Sequence, residues 1–164
     1  MDAMPVDPPL ILVMCTGNIC RSPMAEALMR HRLAERGIDA RVLSRGLGAP
    51  VGRAPHPFAL STALHFGVPI ADDKRAAQVN PVDLRVASVV LVMDTGHRRE
   101  VQQRYPAAGG KTFLLRHWVD GQDIPDPVRE PEAVFRQQWP LIDEGCSSWI
   151  DQLLQARMLS LARP

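Results

Sequence analysis

Residues 15–23 read Cys15-Thr16-Gly17-Asn18-Ile19-Cys20-Arg21-Ser22-Pro23, and they lie between an apolar run, Leu10 to Met14, and a helix-like segment, Met24 to Arg36. The order is strand, phosphate loop, helix. Five residues separate Cys15 from Arg21, enough to wind one tight loop whose backbone N–H groups point inward, with Gly17 as the residue expected to supply the unusual backbone angles of such a nest. Pro23 suits the first helical position, where a missing N–H costs nothing, so the loop would end on a helix N-terminus that favours an anion. A cysteine at such a terminus beside an arginine is set up as a thiolate nucleophile. Arg21 would hold two phosphoryl oxygens with its planar fork, Ser22 would donate to the sulfur, and Asn18 would hold the loop through its amide. A lone cysteine at a strand end is more often a small buried apolar residue, but the arginine and the helix start around Cys15 outweigh that reading. The loop lacks the second glycine of a dinucleotide fingerprint and the Lys-Ser/Thr pair of a nucleotide cradle.

With those residues in view, CTGNICRSPMAEAL resembles the signature of the low-molecular-weight protein tyrosine phosphatases, and the likeness runs over nearly the whole chain. The resemblance implies Cys15 as nucleophile and Arg21 as phosphate clamp. It makes Asn18 and Ser22 loop organisers, and Thr16, Gly17, Ile19 and Cys20 the substrate-facing remainder of the loop.

The rest of the chain fits that frame. At 164 residues with a net charge of +1, it is long enough for a single core and has no general attraction for nucleic acid. Three cysteines fit neither a disulfide framework nor a zinc site, and neither a metal nor a cofactor is implied. The start, MDAMPVDPPLILVMC, lacks the pattern of a signal peptide, and no segment is long and apolar enough to span a membrane, so a cytoplasmic protein is expected. Residues 1–8 read as a flexible tail and 9–160 as one domain. The basic cluster Arg30, His31, Arg32 reads as the solvated face of the first helix.

Further strands are expected at Arg41 to Ser44, Ser88 to Met93 and Lys111 to Leu115, and helices at Pro57 to Phe66, after Asn80, and after Asp94 or Thr95 as far as Arg104. Gly46 to Pro57 reads as a loop bordering the site. The run Val89 to Met93 lacks alternation, as a strand covered on both faces should. Gly110-Lys111-Thr112 imitates a nucleotide loop, but Tyr105 stands where its first glycine belongs. From near Glu130 a long helix carries Phe135, Trp139, Ile142, Cys146, Trp149 and Leu153 on one stripe, with Pro140 predicting a kink or break. Strands alternating with helices predict an α/β fold with a parallel sheet and helices on both faces. The family likeness implies four strands in the order 2-1-3-4, which puts Cys15 beside the topological switch point.

Expelling a phenoxide near neutral pH also needs a proton donor. Ile124-Pro125-Asp126-Pro127 matches the family's acid loop, and the resemblance makes Asp126 general acid and then general base. Directly after it stand Val128 and Arg129, where members commonly have tyrosines that wall the pocket. Lys74 stands in place of a histidine that supports the loop in some members, while Ser44 matches the serine of that network. Ile19 favours tyrosine phosphate, because relatives resembling phosphoarginine phosphatases have threonine there. Cys20, in the same tight loop as Cys15, is placed for a reversible disulfide with it. The stretches Val89 to Asp94, Lys111 to Trp118 and Ile124 to Pro127 resemble bacterial members acting on tyrosine autokinases of polysaccharide export, which makes a tyrosine-phosphorylated protein the expected partner. Two other readings stay open: a phosphotyrosine-binding module with weak turnover, and a phosphatase of a different phospho-residue.

Overall fold

The computed structural model describes residues 7–161. Most of the tail expected over residues 1–8 therefore lies outside the described residues. Pro8 is tied down, its carbonyl accepting from Arg41 Nε at 3.0 Å.

Strands β1 (Leu10–Cys15), β2 (Arg41–Gly46), β3 (Val89–Val92) and β4 (Thr112–Leu114) form one sheet in the order β2-β1-β3-β4, every pair parallel. Helices α1 (Arg21–Glu35), α2 (Pro57–His65), α3 (Pro81–Val86), α4 (Thr95–Arg104) and α5 (Glu132–Gln155) connect and cover it. The period of two along β1 divides the core. Ile11 and Val13 pack with Met24, Leu28, Phe135 and Ile142 of α1 and α5, whereas Leu10, Leu12 and Met14 pack with Leu84 and Val101 of α3 and α4. The same split places Val89 and Leu91 on one face and Val90 and Val92 on the other. That is why an apolar run without alternation marks a strand buried on both sides.

Some boundaries differ from the sequence reading. Helix α1 starts at Arg21, with Cys20 as its N-cap, so Pro23 stands at the third position of the helix. Any of the first-turn positions spares a proline the loss of an intrahelical bond. The expected fourth strand is shorter, because Pro106–Lys111 winds into a 3-10 turn first. Helix α5 runs unbroken through Pro140. Its apolar stripe is buried as expected, and packing of that stripe outweighs the one hydrogen bond that proline removes. Asn80 and Asp94 act as N-caps, accepting from the N–H groups of Asp83 and His97 at 2.8 Å each.

The basic cluster on α1 does more than face water. Arg32 makes a two-pronged pair with Asp143 of α5, Nε and Nη2 reaching the two carboxylate oxygens at 2.9 and 2.7 Å. Arg30 donates to Val42 O at 2.7 Å. Lys111, within the false nucleotide signature, turns its ammonium to the carbonyls of Arg85 and Ala87. Among the described residues no helix is long and apolar enough to cross a membrane.

Candidate active site

Parallel pairing puts the carboxyl ends of β1 and β3 side by side, and the loop after each ends on a helix N-terminus. Cys15 is the last residue of β1, and residues 16–20 close the turn into α1. The left-handed residue is Asn18, with φ of 55°. Gly17, expected to hold that role, has only ordinary contacts within 4 Å for an added Cβ, the nearest being Ile19 Cγ1 at 3.5 Å. Asparagine tolerates this backbone region better than most residues, and here its side chain fixes it. Asn18 Nδ2 donates to Ser22 Oγ at 2.8 Å and to Ser44 Oγ at 2.9 Å, while Asn18 Oδ1 accepts from Ala77 N at 3.0 Å.

The Cys15 sulfur sits 3.0 Å from Ser22 Oγ and accepts from Asn18 N at 3.3 Å. Because Ser22 Oγ already accepts from Asn18, its own proton is left for the sulfur, an arrangement that suits a thiolate. Behind Ser44 lies a further support. Glu26 Oε1 accepts from Ser44 N at 2.9 Å, and Lys74 Nζ donates to Ser44 O at 3.2 Å, with 3.9 Å between the two charged side chains. Burial holds Lys74 below the usual lysine range, Glu26 opposing it. Lys74, standing where some members have the supporting histidine, thus braces Ser44 from the carbonyl side.

Arg21 is 1 % exposed. Its Nη1 donates to Asp94 Oδ2 at 3.0 Å and to Ile124 O at 2.6 Å. Nη2 is 3.9 Å from Asp126 Oδ2, and among the described residues Nε has no hydrogen-bond partner. One corner of the guanidinium is therefore anchored, and the Nε/Nη2 edge remains for an oxyanion, the two-pronged geometry that phosphate takes. Burial works against the Asp94 charge, yet the His97 backbone N–H, His97 itself and Arg21 outweigh it and hold the carboxyl below its ordinary range.

Asp126 comes from the loop between β4 and α5. Arg21 and Met93 fasten that loop through Ile124, Gln138 of α5 holds the Pro125 carbonyl at 2.7 Å, and Asp123 accepts from Thr95 N and Oγ1. On the other side His56 N donates to Ile19 O at 2.8 Å. His56 itself is a cap, its Nδ1 accepting from Phe58 N.

Of the residues singled out from sequence, Cys15, Thr16, Gly17, Ile19, Cys20, Arg21, Asp126 and Val128 line a single cavity of about 110 Å³, and Ser44, Lys74 and Arg129 do not. Asn18 and Ser22 lie fully buried behind the loop. Cys15 and Cys20 are both free thiols. Burial above all, then the neighbouring Cys15 and Asp126, pushes Cys20 up to about 12. Cys20 is thus favoured as the neutral thiol. Full burial likewise pushes the Cys146 thiol far up. A larger cavity, about 360 Å³, lies between α3 and the 3-10 turn, with Leu84, Tyr105 and Ala108 among its walls. It is mainly apolar and has neither a cysteine nor a carboxylate in its walls, whereas the smaller one holds both. No group of three or more His, Cys, Asp or Glu among the described residues is arranged to hold a metal.

Asp94, His97 and Glu26 are neighbours of the site to which sequence reading gave no role there. Asp94 and His97 meet the loop from a distant part of the chain, where only the N-cap signal at Asp94 stood out, and Glu26 reaches Ser44 from within α1.

Comparison with known proteins agrees with this geometry. The family profile described as low molecular weight phosphotyrosine protein phosphatase matches residues 10–158. The probable low molecular weight protein-tyrosine-phosphatase EpsP of Ralstonia nicotianae is 38 % identical over 143 residues, covering 87 % of this chain and 94 % of the relative. The tyrosine phosphatase Wzb of Escherichia coli, solved with sulphate, superposes with a TM-score of 0.81 at 33 % identity, covering 88 % of this chain and 97 % of Wzb. The YwlE arginine phosphatase of Geobacillus stearothermophilus also superposes at 0.81, with 31 % identity over 92 % of this chain and 96 % of its own. A profile match over almost the entire sheet and its helices, joined to the buried thiol and arginine fork described above, establishes that this chain belongs to the low molecular weight phosphotyrosine protein phosphatase family.

Proposed function

We propose that the chain hydrolyses phosphotyrosine in protein substrates through a phosphocysteine intermediate formed on Cys15. The observation that carries this is the edge of buried Arg21 in the cavity that also holds Cys15 and Asp126: among the described residues its Nε has no hydrogen-bond partner, and its Nη2 faces Asp126 at 3.9 Å. In the first step the Cys15 sulfur forms a bond to phosphorus as the P–O bond to the phenol breaks, and the Asp126 carboxyl gives its proton to the leaving oxygen. In the second, the Asp126 carboxylate takes a proton from water, whose oxygen bonds to phosphorus as the S–P bond breaks, freeing phosphate. Arg21 and the inward N–H groups bear the charge in flight in both steps. Residues 9–160 act as one catalytic domain in this reading.

The tyrosine-phosphate reading rests on Ile19 in the pocket wall and on the tyrosine phosphatases among the relatives. The equal structural likeness to an arginine phosphatase keeps phosphoarginine as the competing substrate. The partner proposed is a tyrosine-phosphorylated protein, such as a bacterial tyrosine autokinase of polysaccharide export, met in the cytoplasm. Initial rates of phosphate release from matched phosphotyrosine and phosphoarginine peptides test the assignment. Faster release from phosphotyrosine is expected. Preference for phosphoarginine would overturn the substrate class, and tight binding of the phosphotyrosine peptide without release would favour a binding module.

A further inference from the structure

The first turn of α4 meets the site at three points. Asp94, its cap, holds Arg21 at the far end of the phosphate loop. Thr95 holds Asp123 of the acid loop through both its N–H and its hydroxyl. His97, almost fully buried, reaches the near end of the loop, its Nε2 lying 2.8 Å from Thr16 Oγ1.

The imidazole tautomer follows from its surroundings. Nδ1 is 3.5 Å from Asp94 Oδ1, so a lone pair there would face a carboxylate, whereas an N–H is attracted to it. Nδ1 therefore carries the proton, Nε2 is an acceptor, and the Thr16 hydroxyl donates to it. Asp94 Oδ1 also accepts from His97 N at 2.8 Å while Oδ2 takes Arg21. A chain of contacts thus runs Thr16, His97, Asp94, Arg21, starting and ending on the phosphate loop. Thr16 lies on the exposed side of that loop with its carbonyl accepting from Gly48 N. The bond to a buried imidazole holds its side chain from the other direction.

We infer that His97 is a positioning residue: by accepting from Thr16 and bracing Asp94, it fastens both ends of the phosphate loop to one helical turn and so sets the loop amides and the Arg21 fork for phosphate. This rests on the phosphatase reading for its meaning but not for its test, because phosphate binding is measurable without turnover. The ring is faced by Arg21 from α1, by Asp126 from the acid loop, and by Asp94 and Glu100 from its own helix. Burial first, and Arg21 next, hold its basicity below the usual histidine range. When it does take a proton, a second cation stands beside Arg21, competing for Asp94, and Nε2 can no longer accept from Thr16.

The test uses the full chain, with inorganic phosphate as probe and phenyl phosphate as substrate. Thr16→Val, which keeps the shape and loses the hydroxyl, and His97→Phe should each weaken phosphate binding by about three- to tenfold, the scale of one hydrogen bond. Together they should cost no more than His97→Phe alone, since Thr16→Val removes a link that His97→Phe has already removed. Thr16→Ser should restore near-normal affinity. The unaltered enzyme should lose kcat/KM on the acid side of the ordinary histidine range more steeply than His97→Phe, in which that titration is gone. Multiplying losses in the double variant, an unaffected Thr16→Val, or superimposable pH profiles would each overturn the inference. Thermal melts of the single variants show whether a change in binding reflects lost folding, and Thr16→Val, on an exposed position, serves as the variant least exposed to that failure. Absence of turnover by the unaltered enzyme, with phosphate binding and its coupling intact, would count against the phosphatase reading alone.

Discussion

The two oxygens of Asp126 have different duties. Oδ1 accepts from Val128 N at 3.1 Å, which fixes the carboxyl on its loop, and Oδ2 faces the cavity 3.9 Å from Arg21 Nη2. A group placed that way can deliver a proton to a leaving oxygen held beside the fork. Asp126→Asn keeps the shape and removes the acid, so it should lower kcat by about 10²- to 10⁴-fold on phenyl phosphate. The loss should shrink as the leaving phenol becomes more acidic and needs less help. Rates across a series of substituted phenyl phosphates check this, and a uniform loss would make Asp126 a structural residue. At this scale the sequence was most legible where chemistry is local. Cys15, Arg21 and Ser22 lie close together in the chain, and their spacing points to a sulfur beside an anion cradle. It was least legible where one residue takes over another's expected part, as Asn18 does for Gly17. Lys74 reaches Ser44, and His97 reaches Thr16, through bonds spanning 30 and 81 positions, and no periodicity or turn signal encodes such a meeting.

Elements were legible to the extent that their signals are periodic. The stripe on α5 and the unalternating run of β3 gave the right type of structure because burial on one face, or on both, is what those patterns record. Boundaries set by competition were not: proline tolerance in the first turn of α1, and packing that carries α5 through Pro140, both depend on surroundings. Gly46 is the sharpest case. It reads as the start of a loop bordering the site, yet it is the last residue of β2, and an added Cβ would stand 2.7 Å from Thr16 O and 2.9 Å from Ala49 Cβ. The Thr16 carbonyl cannot retreat without losing its bond to Gly48 N at 2.9 Å. Gly46→Ala should therefore destabilise the protein by about 1–3 kcal/mol, as overpacking does. It should weaken phosphate binding as well, because the strain falls on the phosphate loop. Denaturant unfolding and phosphate titration of this variant check both effects. An unchanged midpoint would mean that the loop yields freely at Thr16.

The whole molecule explains why so small a cavity can be so well defined. A four-stranded sheet with both faces covered brings the ends of β1 and β3 together, and from them the chain sends out the phosphate loop and the helix that holds its arginine. The acid loop closes the third side, pinned by Met93, Arg21, Thr95 and Gln138. The strand order was legible only through resemblance, since alternating strands and helices prescribe a parallel sheet but not which strand sits at its centre. The central claim for this architecture is that a phosphoryl group passes through Cys15. Its most direct measurement is to mix the Asp126→Asn variant, in which water attack on the intermediate is slowed, with an aryl phosphate bearing a good leaving group. The reaction is then quenched and the peptides mapped by mass spectrometry. The expected result is one phosphoryl group per chain, on Cys15, and none in the same variant carrying Cys15→Ala. Phosphoryl transfer to another residue, or normal phosphate release by Cys15→Ala alone, would contradict the account.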